Sequence, residues 1–272
     1  MSSATNPYLR PSLFPVPSQR ERVNILGVGV SALNMESALR ETEHLLDRGE
    51  QGYICVTGVH GIMEAQSDEQ FRDILNRSFL TTPDGMPTVW LGRMQGFKDM
   101  SRVYGPDFML GLCQRSVTRG DRHFLYGGKP GVAEELRAAL TQKFPGLQIV
   151  GTYTPPFRPL TAEEEEDLRR QLVESRADVL WCGLSTPKQE RFMAAYSERL
   201  PVQLMVGVGA AFDLLSGNLS EAPDWMKNAG LQWLYRLIKE PARLWRRYLL
   251  NNPKFTWLTF LQLTGLKGFH LS

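Results

Sequence analysis

Short apolar runs alternate with longer amphipathic stretches along most of the chain. Val23–Leu26, Tyr53–Thr57, His123–Tyr126, Gln148–Val150, Val179–Cys182 and Val202–Val206 are rich in Val, Ile and Leu and do not alternate cleanly with polar residues. Strands buried on both faces read this way. Between them, Ser67 with Gln70 precedes Phe71, Ile74 and Leu75, and Thr161 with Glu164 precedes Leu168 and Leu172. Both are capping-box spacings that predict helix starts. Pro106, Pro130 and Pro187 suit the first turns of further helices. This β-α alternation predicts an α/β fold, a Rossmann-like and mostly parallel sheet with helices on both faces. Ligands of such sheets bind beyond the carboxyl ends of the strands.

The two ends of the chain read differently. Residues 1–21 carry Pro7, Pro11, Pro15 and Pro17 and predict an extended arm. Residues 22–222 form the expected α/β domain, and residues 223–272 a helical appendage. In that appendage Leu234, Leu237, Ile238, Leu244, Trp245, Tyr248 and Leu249 recur at helical spacing. Arg236, Lys239, Arg243, Arg246 and Arg247 form a second stripe, and Pro241 predicts a break into two helices.

Charge sharpens this division. The net charge of the 272 residues is only +2. Yet from Trp225 onward eight Lys/Arg face one acid, and four of the six Trp lie there. A basic, aromatic tail on a slightly acidic body predicts an anionic partner, a membrane surface or a phosphate group. Nucleic acid is not expected, because no binding motif accompanies the tail. Cys55, Cys113 and Cys182 are scattered, which argues against a disulfide framework and suits a reducing cytoplasm. The start of the chain lacks the pattern of a secretory signal, and uncharged stretches such as 255–266 are too short to span a bilayer. No metal is expected: there is no Asp-x-Asp, and His44, His60, His123 and His270 are far apart.

Five segments could carry chemistry. Gly27-Val28-Gly29-Val30-Ser31-Ala32 matches a dinucleotide fingerprint in letters, but the next strand ends Val56-Thr57-Gly58 with no ribose-binding acid. A tight turn is the better reading there. Thr81–Pro87 places Asp84 in a Pro-Asp-Gly turn, where a carboxylate above the sheet could act as a general base. The loop Gly127-Gly128-Lys129-Pro130 and the loop Ser185-Thr186-Pro187-Lys188 each join a strand to a helix. Two such loops suggest a diphosphate or nucleotide cradle. In Val206–Asp213, small residues including Gly209 admit a flat ligand, and Asp213 could accept bonds from a base or ribose.

The ordered blocks VTGVHGIMEA, TTPDGMPTVWLGR, RVYGPDFM, YGGKPG, GLSTPKQE, VGVGAAFDLLSG and APDWMKNAGLQWLYRLIKEPARLWRRY resemble the WecG/TagA/CpsF family of bacterial glycosyltransferases, over roughly Val23 to Asn252. The resemblance, nearest to members that build exopolysaccharides, implies an inverting, metal-independent transfer, without cofactor, from a UDP-sugar to a polyprenyl-diphosphate-linked glycan in exopolysaccharide or cell-surface polysaccharide synthesis. It implies that Asp84 is the base, that Thr57, Arg102 and Gln189 are active-site residues, and that Asp213 lies in the nucleotide pocket. It implies an appendage that docks on the inner face of the plasma membrane, with Arg236, Arg243, Arg246 and Arg247 meeting lipid or diphosphate. A homo-oligomer is left open.

Departures from the family pattern bear on the donor. Many members read Thr-Pro-Asn where this chain has Thr57-Gly58-Val59, with His60 next in line to contact the sugar. Glu221-Ala222-Pro223 and Leu231-Gln232-Trp233 also differ from the common Arg-Ala-Pro and Leu-Glu-Trp. The expected donor is therefore a neutral hexose such as glucose, with N-acetylmannosamine or its uronate as the alternative. A NAD-dependent oxidoreductase and a catalytically silent assembly factor are the rival classes.

Overall fold

The computed structural model describes residues 21–271, apart from the side chain of Asn228. The Pro-rich arm, save Glu21, lies outside the described residues. In chain order the strands are β1 (Arg22–Ile25), β2 (Val28–Ser31), β3 (Gly52–Thr57), β4 (Leu80–Pro83), β5 (Arg122–Gly127), β6 (Gln148–Tyr153), β7 (Val179–Gly183) and β8 (Leu204–Gly207). The helices are α1 (Met35–Arg48), α2 (Val59–Glu64), α3 (Glu69–Arg77), α4 (Met86–Met94), α5 (Gly105–Arg119), α6 (Val132–Lys143), α7 (Ala162–Ser175), α8 (Lys188–Tyr196), α9 (Ala211–Leu215), α10 (Asp224–Asn228), α11 (Gln232–Lys239) and α12 (Pro241–Leu263).

Six strands form one parallel sheet in the order β4-β3-β8-β7-β5-β6. Successive strand residues point to opposite faces. Ile54, Leu125, Trp181 and Val206 enter one core with α1, α5, α6 and α9. Tyr53, Cys55, Phe124, Cys182 and Met205 enter the other with α3, α7 and α8. With both faces covered, no polar face remains to produce an alternating pattern. From β5 the chain crosses outward to β6, and from β7 inward to β8, so the sheet's topological switch point lies between β5 and β7.

The dinucleotide fingerprint is a hairpin. Val23–Leu26 does not enter the parallel sheet; β1 pairs antiparallel with β2, Ile25 opposite Val28. Leu26 and Gly27 between them have φ of 54° and 83°. A two-residue hairpin turn with both central φ positive matches the right-handed twist of its strands. The Gly-x-Gly letters therefore serve a turn, and no helix starts there to receive a phosphate.

Three other local expectations shift. The cap of α3 is Asp68, whose side chain accepts from Phe71 N, so the Ser67–Gln70 box does not form. Pro106 lies in the first turn of α5 as expected, but Pro130 precedes the Gly131 cap of α6 and Pro187 is itself the cap residue of α8. β4 is a strand that its polar Thr-Thr sequence concealed. The Thr161–Glu164 capping box forms, and Glu240-Pro241 divides α11 from α12.

The tail returns to the body. Phe255 of α12 is buried in the second core. Gln262 accepts from Leu26 N at 3.0 Å and donates to Asn24 O at 3.0 Å, clasping the hairpin. Among the described residues, no helix is long and apolar enough to cross a membrane.

Candidate active site at the strand tips

The carboxyl end of β4 delivers Asp84 to the top of the sheet. Its N–H donates to Thr57 O at the tip of β3, 3.1 Å away. Arg102 Nε donates to the Asp84 carbonyl at 2.7 Å, and Gly105 N approaches the carboxylate Oδ1 at 3.3 Å. Burial pushes the Asp84 carboxyl above its usual value, and Arg102, Gly105 and Arg236 oppose the shift. A half-buried carboxylate poised this way is a stronger base than a fully exposed one.

Arg102 is in turn held by the tail. Its guanidinium stacks 4.1 Å over the Tyr104 ring and donates to Gln232 Oε1, while Gln232 Nε2 donates to the Tyr104 hydroxyl at 2.7 Å. Arg236, one turn further along α11, is close enough to act on the Asp84 charge. Arg247 of α12 is half-buried; burial lowers its pKa, Arg236 and Arg243 lower it further, and Tyr248 and Glu64 oppose. A cleft of about 210 Å³ lies between α9 and α11, lined by Tyr104, Gln232, Tyr235 and Arg236 among others.

Next to Asp84 is a group of buried polar atoms. Thr57 Oγ1, both ring nitrogens of His60, Gln189 Oε1 and Glu190 Oε2 are buried without a hydrogen-bond partner. Each such atom costs about 1–3 kcal/mol unless something satisfies it. They are neighbours: a Cβ on Gly61 would lie 3.0 Å from Thr57 Cγ2 and 4.0 Å from Thr186 Cγ2. Glu64 Oε1 stands 3.6 Å from His60 Nδ1. Burial and then Arg247 lower the His60 pKa to about 4, with the Thr186 backbone opposing. The imidazole is therefore neutral at physiological pH.

The structure thus gathers Thr57, His60, Asp84, Arg102, Thr186, Gln189, Gly209, Arg236 and Arg247. Other expected residues stand apart. Gly127 and Gly183 meet back to back, since a Cβ on Gly127 would sit 2.7 Å from the Gly183 carbonyl. Gly128 has φ of 77°, and a Cβ there would lie 3.1 Å from Val132 Cβ. Lys129, Pro130 and Ser185 are exposed on the rim, and the exposed Lys188 ammonium sits 4.2 Å over the Phe157 ring. Asp213 is half-buried on α9. Arg243 pairs with Glu240 at 2.7 Å, and Arg246 lies over Trp245, both exposed.

Two residues at the site escaped the sequence reading, and a third, Gln232, entered it only as a departure from the family pattern. Tyr104 and Gln232 matter through contacts separated by 128 positions, which no local pattern signals. Glu190 stood beside Gln189 in the Pro-Lys-Gln-Glu block, but a buried carboxylate looks the same in sequence as a solvated one. Among the described residues, no group of three or more His, Cys, Asp and Glu side chains gathers to hold a metal ion.

Fold and site define a doubly wound α/β protein whose crevice, above the strand tips, joins a half-buried carboxylate to cations from a returning helical tail. The sequence profile of the glycosyl transferase WecG/TagA/CpsF family matches residues 23–268, and the chain belongs to that family. It is a glycosyltransferase, as the resemblance implied, and the oxidoreductase reading falls with the hairpin. The chain is 28% identical over 228 residues, 84% of its length and 86% of the relative's, to the N-acetylglucosaminyldiphosphoundecaprenol N-acetyl-beta-D-mannosaminyltransferase of Bacillus subtilis (strain 168). It is 29% identical over 237 residues, 87% and 89% of the two lengths, to the protein of the same name from Bacillus spizizenii.

Proposed function

We propose that this chain transfers an N-acetylmannosaminyl residue from a UDP-linked donor to an N-acetylglucosaminyl group on polyprenyl diphosphate. The names of the two relatives support this donor over the neutral hexose expected from the sequence. The observation that carries the chemistry is Asp84, a half-buried carboxylate of raised pKa at the tip of β4. It takes the proton of the acceptor hydroxyl as that oxygen attacks the anomeric carbon. The bond to UDP breaks on the opposite face, inverting the centre. Arg236 and Arg247 balance the charge of the departing diphosphate without a divalent cation.

The substrate's lipid requires a membrane, and the tail supplies a surface for one. Trp245, Leu249, Trp257 and Phe260 of α12 are 45–59% exposed, with Arg243 and Arg246 nearby. We place the protein at the inner face of the plasma membrane through this helix, each cation adding about 1 kcal/mol at an anionic surface. Trp245→Ser with Trp257→Ser removes exposed rings only and should abolish sedimentation with anionic liposomes; unchanged sedimentation contradicts the assignment.

The donor is tested by incubating the protein with polyprenyl-diphosphate N-acetylglucosamine and either UDP-N-acetylmannosamine or UDP-glucose, reading the product by mass. Transfer of the amino sugar is expected. Transfer from UDP-glucose alone would restore the hexose reading, which Val59 favours by standing where many members carry Asn.

A further inference from the structure

We propose that Glu190 is a positioning residue that sets the Gln189 amide, and that the carbonyl so presented reads a hydroxyl or amide N–H of the donor sugar. This rests on the transfer reaction proposed above. Cys55, Gly207 and Cys182 stand side by side on β3, β8 and β7, and the Glu190 carboxyl acts on both thiols. Gly207 makes the room: a Cβ there would lie 2.8 Å from Met193 Cε and 3.0 Å from Gln189 Nε2. Glu190 is 1% exposed and Gln189 3%.

Two donors converge on one carboxyl oxygen. Thr186 Oγ1 donates to Glu190 Oε1 at 2.8 Å, and Gln189 Nε2 donates to the same atom at 3.0 Å. With its nitrogen on Glu190, the Gln189 amide turns its oxygen away. That oxygen lies 3.5 Å from the place a Gly209 Cβ would occupy, and it has no partner. Phosphate oxygens also accept, so the complement of this carbonyl is a hydroxyl or an N–H, and comparing UDP with UDP-sugar separates donors of the nucleotide from those of the sugar. Gln189 stands at the tips of β7 and β8, between the switch point and the β4 tip that carries Asp84. Gln189 Oε1 belongs with Thr57 Oγ1 to the unpartnered group beside Asp84, where the reacting end of the donor sugar must lie.

The test is calorimetric, on the full chain without acceptor, using UDP, UDP-N-acetylmannosamine and UDP-glucose. Glu190→Ala should leave UDP affinity within about twofold and weaken the preferred UDP-sugar about tenfold. Glu190→Gln keeps an accepting oxygen and should stay within about threefold of wild type. In a Gln189→Ala background, Glu190→Ala should cost nothing more. Losses that add, or that fall equally on UDP and UDP-sugar, overturn the proposal. If Glu190→Ala does not fold, an exchange decides. Gln189→Glu alone sets two acceptors face to face, and adding Glu190→Gln should recover UDP-sugar affinity at least about fivefold; no recovery overturns it. A wild-type protein that binds UDP but no UDP-sugar more tightly contradicts the transfer reading instead, and that failure shows without any variant.

Discussion

The two halves of the crevice are built on opposite principles. At the tips of β5 and β7, backbone meets backbone: Gly127 and Gly183 touch, and a Cβ on Gly183 would sit 2.5 Å from the Phe212 ring. There Gly128 N donates to Gly183 O at 3.1 Å. At the tips of β3, β4 and β8, polar side chains are buried without partners, and the Asp84 carboxyl is held at a raised pKa by burial. The first half is settled by the chain itself. The second carries unmet hydrogen-bonding capacity of the kind that a ligand satisfies, at a cost in stability.

Asp84→Asn should separate these principles most sharply. Turnover should fall on the order of 10²–10⁴-fold, the usual worth of general acid–base catalysis, with UDP still bound. The same variant should melt higher than wild type at pH 8. A folded-state pKa raised above the unfolded value means that stability falls as pH rises through that range. Asn carries no such penalty, and the two proteins should converge in acid, below the unfolded pKa. The acid limb of kcat/KM should lie above the ordinary carboxylate range, because the base must be ionised. A variant with near-full turnover would remove Asp84 from the mechanism.

His60 acts in the opposite sense. Its folded pKa is lowered to about 4, so it costs stability as pH falls from the unfolded value toward 4, on the order of 3 kcal/mol in all. His60→Phe should flatten the decline of melting temperature over that window; an unchanged slope contradicts the half-buried neutral imidazole.

Arg236→Ala should lower kcat on the order of 10²-fold, the effect of removing one donor from a developing anion. Arg246→Ala, exposed over Trp245, should change soluble-substrate turnover little, and equal losses would mean that α11 is not the functional arm of the tail. Gly183→Ala should destabilise by about 1–3 kcal/mol through overpacking against Phe212, while the folded fraction keeps most of its turnover. Loss of turnover at full stability would make that half of the crevice chemical as well. The smallest effect is the one expected of EDTA, none; a strict Mg²⁺ or Mn²⁺ requirement would show that the cations from the tail do not suffice.

Much was legible before the fold. The apolar runs located five of the six strands of the parallel sheet: four because strands buried on both faces read as continuously apolar, and the half-buried edge strand β6 by Ile149 and Val150. β4 escaped because Thr81 and Thr82 look like a turn, and only their pairing with Cys55 and Val56 of β3 makes them a strand. The letters of Gly27–Ala32 were compatible with a phosphate loop, yet φ at Leu26 and Gly27 makes them a hairpin turn. Asp84 could be picked out by its turn and by family blocks, whereas its raised pKa could not, since desolvation exists only once neighbours are packed around it.

The sequence alone therefore determined the α/β class, the break at Pro241 and the basic character of the tail, because these depend on spacing and composition within single elements. Only the tertiary structure decided that α11 reaches back to Arg102 through Gln232, that Glu190 lies buried beneath Gln189, and that Gly127 and Gly183 serve packing. Those are contacts between segments far apart in the chain, and their energies come from burial and geometry that local pattern does not contain.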